Sequence, residues 1–333
     1  MNEKIFVAGL GATGSSAVID LLKEVNTYFV FENEFRLFVD PGGLVNLRDS
    51  LVYNWSIYQT DAAIKKFRKI TYAIDKRFRN PYSTLGHNKY LDDKLLIYTD
   101  QFLNEITELD YDGLWYGIDN ILKRQLNKYK LFTRKKIITS KIFVGKQLTL
   151  DQFNEIVNNY VNNIIDYCLK KYKAKHFCFN ENFSCMFPEK ITDMVEGSKM
   201  ILVVRDPRDV YSTAIQNKWM AAPGRNEDFL KWEYSIFSRW LKIQDRLKGI
   251  DPEGKKFKVI KFEDLITDYE QTKEKIFDWC SISNGDHVFP KKYLDPTISK
   301  KNVGLWKTAI TPELAKRISQ KFENFYKEYN YEI

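Results

Sequence analysis

The chain has 333 residues, 44% hydrophobic and 15% aromatic, with 52 Lys and Arg against 44 Asp and Glu, a net charge of +8. That composition belongs to a globular protein with a large core and excludes a disordered or collagen-like chain. The charge suits an anionic substrate or cofactor, though excess surface lysine produces the same balance; with no zinc-finger spacing, RNA-binding motif or dense basic arm, nucleic acid is not expected as a partner.

In chain order, Ile5-Phe6-Val7-Ala8 is a short apolar run of the kind a buried strand needs. Gly9-Leu10-Gly11-Ala12-Thr13-Gly14-Ser15-Ser16 follows, and Ala17-Val18-Ile19-Asp20-Leu21-Leu22 starts a buried helix. A strand, a glycine-rich turn and a helix bring backbone N–H groups toward one point, where the positive end of the helix dipole favours an anion. The spacing resembles a P-loop, except that Ser15 stands where the Walker lysine would be. A tight strand-to-helix connection with no ligand is the alternative reading of this loop alone.

Thr27–Phe31 reads as a second strand, running into Glu32-Asn33-Glu34-Phe35-Arg36-Leu37-Phe38-Val39-Asp40 and a Pro41-Gly42-Gly43 turn. Residues 45–172 read as a mainly helical insertion between the second and third core strands, a lid or acceptor-binding subdomain, with polar breaks near Asn80-Pro81, Gly86–Asn88 and Asp110–Gly113. Its aromatics, Trp55, Tyr58, Phe67, Tyr72, Phe78, Tyr82, Tyr98, Phe102, Trp115 and Tyr116, are expected mostly to pack inward, and a few could stack on sugar rings. Two basic clusters, one of Lys65, Lys66, Arg68, Lys69, Lys76, Arg77 and Arg79 and one of Lys123, Arg124, Lys128, Lys130, Arg134, Lys135 and Lys136, read as solvated helix faces or, alternatively, as a track for an acidic glycan or an anionic membrane.

Further strands are expected at Lys175–Phe179, Lys199–Val204 and Phe257–Phe262, and an amphipathic helix from about Asp268 to Trp279. Strands alternating with helices imply an α/β fold: a P-loop-like parallel sheet of about five strands, helices on both faces, in one domain over 1–333. Cys168, Cys178, Cys185 and Cys280 show no C-x-x-C spacing and read as reduced, mostly buried thiols. The first strand leaves no room for a targeting segment and no apolar run reaches the roughly 20 residues of a membrane span, so the expected location is a bacterial cytosol.

The fourth strand leads into Arg205-Asp206-Pro207-Arg208-Asp209-Val210-Tyr211-Ser212-Thr213. An Arg at the carboxyl end of a parallel strand points into the crevice where α/β sheets bind ligands, and its guanidinium suits bidentate phosphate contact. This run and the first loop together resemble the sulfotransferase family that uses 3′-phosphoadenosine 5′-phosphosulfate (PAPS). The resemblance continues in Lys261-Phe262-Glu263-Asp264-Leu265, similar to that family's Y-E-D-L element. It extends to Lys300-Lys301-Asn302-Val303-Gly304-Leu305-Trp306, similar to its V-G-x-W segment, and stops at the insertion. It implies that Gly11, Ala12, Thr13, Gly14, Ser15 and Ser16 hold the 5′-phosphosulfate. Arg205, with Thr213 eight residues on and Ser212 beside it, then holds the 3′-phosphate, and Lys300 and Lys301 touch the same side. The reading requires the first loop and Arg205 to meet across one crevice.

Glu32-Asn33-Glu34-Phe35-Arg36-Leu37-Phe38 looks like the E-N-E-V-H-F-F stretch of the glycan O-sulfotransferase branch. The match makes Glu34 the base that takes the acceptor's hydroxyl proton, with Arg36 in the histidine's place; Glu32, His176 and His87 are the fallbacks. The implied activity is sulfuryl transfer from PAPS, with 3′-phosphoadenosine 5′-phosphate (PAP) as product, to a hydroxyl of a small-molecule or oligosaccharide acceptor. No metal is expected, since His87, His176 and His287 show no ligand spacing. Ala12 departs from the family, whose first loop carries Lys or Arg at that position; Arg36, Lys141, Lys146 or Lys175 could replace the charge. Two other readings stay open: a homologue that binds nucleotide or glycan with impaired catalysis, and a P-loop kinase.

Overall fold

The computed structural model describes residues 2–75, 86–114, 121–133, 138–217 and 226–332, with the side chains of 121–124 and 131 outside that description. Five parallel strands form the central sheet: β1 Lys4–Gly9, β2 Tyr28–Glu34, β5 His176–Asn180, β6 Ser198–Val204 and β7 Phe257–Lys261. They lie in the order β2-β5-β1-β6-β7. All five strands expected from the sequence are present.

Side chains alternate across this sheet, so each strand feeds two cores. Ile5, Val7, Val30, Cys178, Ile201 and Val203 pack under the helices Ser15–Lys23 and Tyr269–Trp279. Phe6, Ala8, Phe31, Phe177, Phe179 and Leu202 face the other way, against the helices Leu150–Tyr172 and Asn226–Ile250. Phe6 stacks on Phe179 at 4.5 Å between ring centroids. The four cysteines are free and buried.

The chain crosses from β1 to β2, returns to fill the gap with β5, then continues on the far side of β1 with β6. This change of direction at β1 opens a crevice at the carboxyl ends of the strands, where ligands of such sheets bind. Register sets what lines it. Gly9 is level with Val203, Val7 with Asn180, and Glu34 with Asn180 across a bulge in β2.

Between β2 and β5, the helices Ile57–Asp75, Lys94–Ile106 and Leu150–Tyr172 pack through Phe67, Phe102 and Tyr160, with Phe102 stacked on Tyr160 at 4.7 Å. This region is less purely helical than its sequence suggests: β3 Thr107–Gly113 pairs antiparallel with β4 Ser140–Gly145. Leu109 and Tyr111 alternate with carboxylates along β3 and both are exposed, so the strand has no apolar run and its sequence reads as a polar break. Trp55 and Tyr58 are likewise exposed. Lys65 pairs with Asp61 at 2.7 Å and Arg68 with Asp100 at 3.7 Å, as solvated faces do. Lys76, Arg77, Phe78, Arg79, Asn80, Pro81, Tyr82, Trp115, Tyr116, Arg134, Lys135 and Lys136 lie outside the described residues, as do the side chains of Lys123 and Arg124. Among the described residues no helix is long and apolar enough to cross a membrane, and no group of three or more His, Cys, Asp or Glu is placed to hold a metal.

Candidate functional site: a crevice around the first loop and Arg205

The first loop takes its shape from three left-handed residues, Gly11 at φ 85°, Ala12 at φ 53° and Gly14 at φ 84°. Left-handed backbone of this kind lets neighbouring amides face one side, as in anion-binding nests. Gly14 caps the helix Ser15–Lys23 without a side-chain acceptor, and while the Ala17 amide donates to the Gly14 carbonyl at 2.9 Å, the amides of Ser15 and Ser16 stand before the helix has an acceptor for them and can face an external anion. Glycine at position 14 also serves packing, because a Cβ there would sit 2.3 Å from the Phe262 ring. Gly9 leaves room for Thr13, whose Oγ1 would lie 2.2 Å from a Cβ at that position. The Thr13 side chain is buried, and its hydroxyl has no partner.

The first loop and Arg205 meet. Arg205 Nη1 donates to the Ala12 carbonyl at 3.0 Å and to Thr213 Oγ1 at 3.1 Å, and Nη2 donates to the Asn302 carbonyl at 2.5 Å. The guanidinium lies over the Phe262 ring at 5.0 Å. One buried cation thus joins the first loop, the helix Pro207–Asn217 and the segment after Lys300. Its Nε has no partner. Burial lowers its proton affinity from the usual arginine value while Asp209, Glu263 and Asp206 raise it.

Of the paired hydroxyls, Thr213 faces Arg205, whereas Ser212 donates back to the Arg208 carbonyl at 2.7 Å within its own helix. Lys300 and Lys301 are exposed, and their segment reaches Arg205 through the Asn302 carbonyl.

The remaining polar residues of this flank fasten it together, a role their sequence does not announce. Asp209 accepts from the amides of Gly304 at 2.8 Å and Trp306 at 2.9 Å, holding the V-G-x-W segment in place. Arg208 grips Asp206, with Nη2 2.6 Å from Oδ2, and stacks on Trp306 at 4.1 Å. Glu263 accepts from the Asp206 amide at 2.9 Å and the Tyr331 hydroxyl at 2.8 Å, and burial raises its pKa.

Across β1, Glu34 ends β2 half-buried and accepts a hydrogen bond from the Asn182 amide. Asn182 Oδ1 in turn accepts from the Ser15 hydroxyl at 3.0 Å. A carboxylate can only accept, so the amide NH2 must face Glu34 and Oδ1 must face Ser15. Asn182 was not among the sequence candidates; its place just beyond β5, the strand between β1 and β2, is the signal that could have found it.

The turn carrying Glu34 is held from behind. The Phe35 amide donates to the Asn180 carbonyl at 2.8 Å, and His87 Nε2 donates to the Phe35 carbonyl at 2.8 Å. Glu181 accepts from the Arg36 amide at 2.6 Å, where Arg36 is left-handed at φ 62°. Burial pushes the Glu181 carboxyl up to about 8 and the His87 imidazole down to about 4.

The fallback bases fare differently. His87 is fully buried, and His176 lies at the amino end of β5, where its Nδ1 accepts from the Glu3 amide at 3.0 Å, at the opposite end of that strand from the crevice. Glu32 is exposed, 3.8 Å from Lys23. Of the candidate replacement cations, Arg36 pairs with Asp40 at 2.9 Å and Lys141 with Asp110 at 2.9 Å on the hairpin.

The sulfotransferase family model matches residues 121–286, about half of the chain, a stretch that includes Arg205, Ser212 and Thr213. The chain belongs to the sulfotransferase family. Solved structures similar to it include the sulfotransferase domain of the Synechococcus PCC 7002 olefin synthase, 14% identical over 100% of this chain and 96% of that one at a TM-score of 0.45. The sulfotransferase domain from the curacin biosynthetic pathway is 12% identical over 97% and 98% at 0.46, and sulfotransferase STF9 from Mycobacterium avium is 10% identical over 100% and 78% at 0.45. Likeness at these scores carries no information about the site. A curated Escherichia coli protein, the type II restriction enzyme and methyltransferase RM.Eco57I, is 26% identical over 155 residues, 43% of this chain. The chain spans only 14% of that protein's length.

Proposed function

We propose that this chain transfers a sulfuryl group from PAPS to a hydroxyl of an acceptor, a carbohydrate by its Glu34 motif, and that residues 45–172 bind that acceptor. The observation carrying the proposal is Arg205, 3.0 Å from Ala12 and 3.1 Å from Thr213, because it joins the two segments that a nucleotide with phosphates at both ends must bridge. The buried hydroxyl of Thr13 and the Nε of Arg205, both without partners, fit an anionic ligand that supplies the missing acceptors.

In this reading Thr13, Ser15, Ser16 and the amides of Gly11 to Ser16 hold the 5′ end, and Arg205 with Thr213, assisted by Lys300 and Lys301, holds the 3′-phosphate. The donor supplies the sulfuryl group and a phosphate leaving group. Glu34 takes the acceptor's hydroxyl proton as the acceptor oxygen bonds to sulfur and the bond from sulfur to the bridging phosphate oxygen breaks, leaving its electron pair on PAP. Positioning and electrostatics carry this chemistry, since no covalent intermediate with the chain is needed.

PAP, and not ATP with magnesium, is expected to raise the melting temperature; ligand at 100 times its Kd adds about 2.7 kcal/mol. A kinase using this loop gives the opposite ranking. Glu34→Gln is expected to cut transfer of radiolabelled sulfate by about 10²- to 10⁴-fold, the usual contribution of a general base, with PAP affinity intact. Ala12 favours a second reading, donor binding without transfer, and radiosulfate counts at background across candidate glycans, with PAP still bound, would establish it.

A further inference from the structure

Ser15 has one hydroxyl proton and gives it to Asn182 at 3.0 Å, while Asn182 gives an amide proton to Glu34. Ser15 also begins the helix that follows the first loop. A hydroxyl donates one hydrogen bond at a time, so Ser15 cannot serve Asn182 and an anion in that loop together. We infer that Asn182 is a positioning residue that latches Glu34 until the donor arrives. This rests on the function proposed above.

While the Ser15 hydroxyl donates to Asn182 Oδ1, the amide holds Glu34 in one orientation. An anionic oxygen in the loop outcompetes the neutral amide for the Ser15 proton, because hydrogen bonds to charged groups are about twice as strong. Asn182 then loses its anchor, and Glu34 is released to receive the acceptor's proton. The arrangement implies an order, donor before acceptor. The bonds span 167 and 148 residues of sequence, so the latch exists only in the folded crevice.

The test is calorimetric titration with PAP of the full chain and of Asn182→Ala, Ser15→Ala and the double variant. Breaking the latch removes a competitor for the Ser15 proton, so Asn182→Ala should bind PAP about fivefold tighter, one neutral hydrogen bond's net contribution expressed as a ratio. In the Ser15→Ala background the same change should have no effect. A merely structural Asn182 weakens PAP binding or leaves it alone in both backgrounds, and either result overturns the inference. Equal tightening with and without Ser15 overturns it as well. Failure of the unmodified chain to bind PAP sinks instead the function on which the inference rests. Should Asn182→Ala lose its thermal transition, Asn182→Ser, which keeps a small polar side chain, is titrated in its place, and tightening that depends on Ser15 is again the expected result.

Discussion

The two flanks of β1 are built on different principles. On the β6 side, Arg205, Asp206, Arg208, Asp209 and Glu263 bind one another and the last thirty-odd residues of the chain through buried and partly buried hydrogen bonds. On the β5 and β2 side a single file of polar groups, Ser15, Asn182 and Glu34, lies in front of a buried carboxyl and a buried imidazole. The first flank is over-determined: each ion has several partners, and the loss of one leaves the rest in place. The second is sparse: one bond joins Ser15 to Asn182 and one joins Asn182 to Glu34. A site that holds a nucleotide gains from the first kind of construction, because prior ordering lowers the entropy lost on binding. A site that moves a proton needs the second, because a base locked by many partners cannot turn to its substrate.

The first loop carries Ala12 where the resemblance to PAPS-dependent sulfotransferases implies Lys or Arg, and introducing that cation is the strongest way to test the contrast. Ala12→Lys is expected to raise the transfer rate by about 10²-fold, the effect of one group aimed at developing charge. Ala12 already holds a Cβ at a left-handed φ of 53°, and lysine is not β-branched, so the fold should tolerate the change. A radiosulfate assay decides. An unchanged rate would mean that another cation already serves, or that the deficit lies elsewhere.

Next in size is Arg205→Ala, expected to weaken PAP binding by about 1.5–3 kcal/mol, the range for hydrogen bonds to a charged group. Because Arg205 also ties Ala12 to Asn302, the variant should melt earlier even without nucleotide. Calorimetric titration and thermal melting separate the two effects. Affinity unchanged in a destabilised protein would make Arg205 a strut and nothing more.

How much of this the sequence discloses depends on whether the cause is local. The five strands are legible because each is a short apolar run, and Arg205 with Thr213 is legible because a strand end and a helix phase fix their relation. The eight-residue spacing points to Thr213, and the helix sends that hydroxyl to Arg205 while Ser212, one place earlier, turns back to Arg208. Asp209 as the anchor of Gly304 and Trp306, Phe262 beneath Gly14, and Asn182 between Ser15 and Glu34 are choices of distant partner, and nothing near those residues in the chain encodes them. The pairing of β3 with β4 escaped for a related reason: β3 alternates exposed side chains with carboxylates, and nothing local in Ile142-Phe143-Val144 of β4 names that strand as its partner.

Glu181 sharpens the contrast on the sparse side through pH. Burial favours its neutral acid, so between the ordinary value of 4.5 and about 8 the folded chain keeps a proton that the unfolded chain has released. Stability from this group is therefore greatest at low pH, falls as pH rises through that window and is flat above it, with a limiting slope of about 1.4 kcal/mol per pH unit. Glu181→Gln is isosteric and removes the slope. Melting temperatures of both proteins over several pH values should run together at the acid end and separate toward the alkaline end, the native protein dropping relative to the variant. Parallel curves would mean that Glu181 is ionised in the folded chain throughout.

The smallest expected effect belongs to Lys300 and Lys301, exposed on the segment that the Arg205 and Asp209 bonds hold. An exposed charge contributes at most about 1 kcal/mol to a contact, so replacing both with Ala should weaken PAP binding only a fewfold. Salt distinguishes this from the Arg205 contribution. The screening length shrinks from about 30 Å at 0.01 M to about 3 Å at 1 M, so a lysine contribution made through solvent should vanish over that range while that of a buried guanidinium persists. Titrations of the double variant at both limits therefore assign the two lysines to the rim of the nucleotide site if the deficit disappears with salt. A deficit that survives high salt means that they close over the 3′-phosphate and leave water when it binds, and a deficit absent even at low salt removes them from the site.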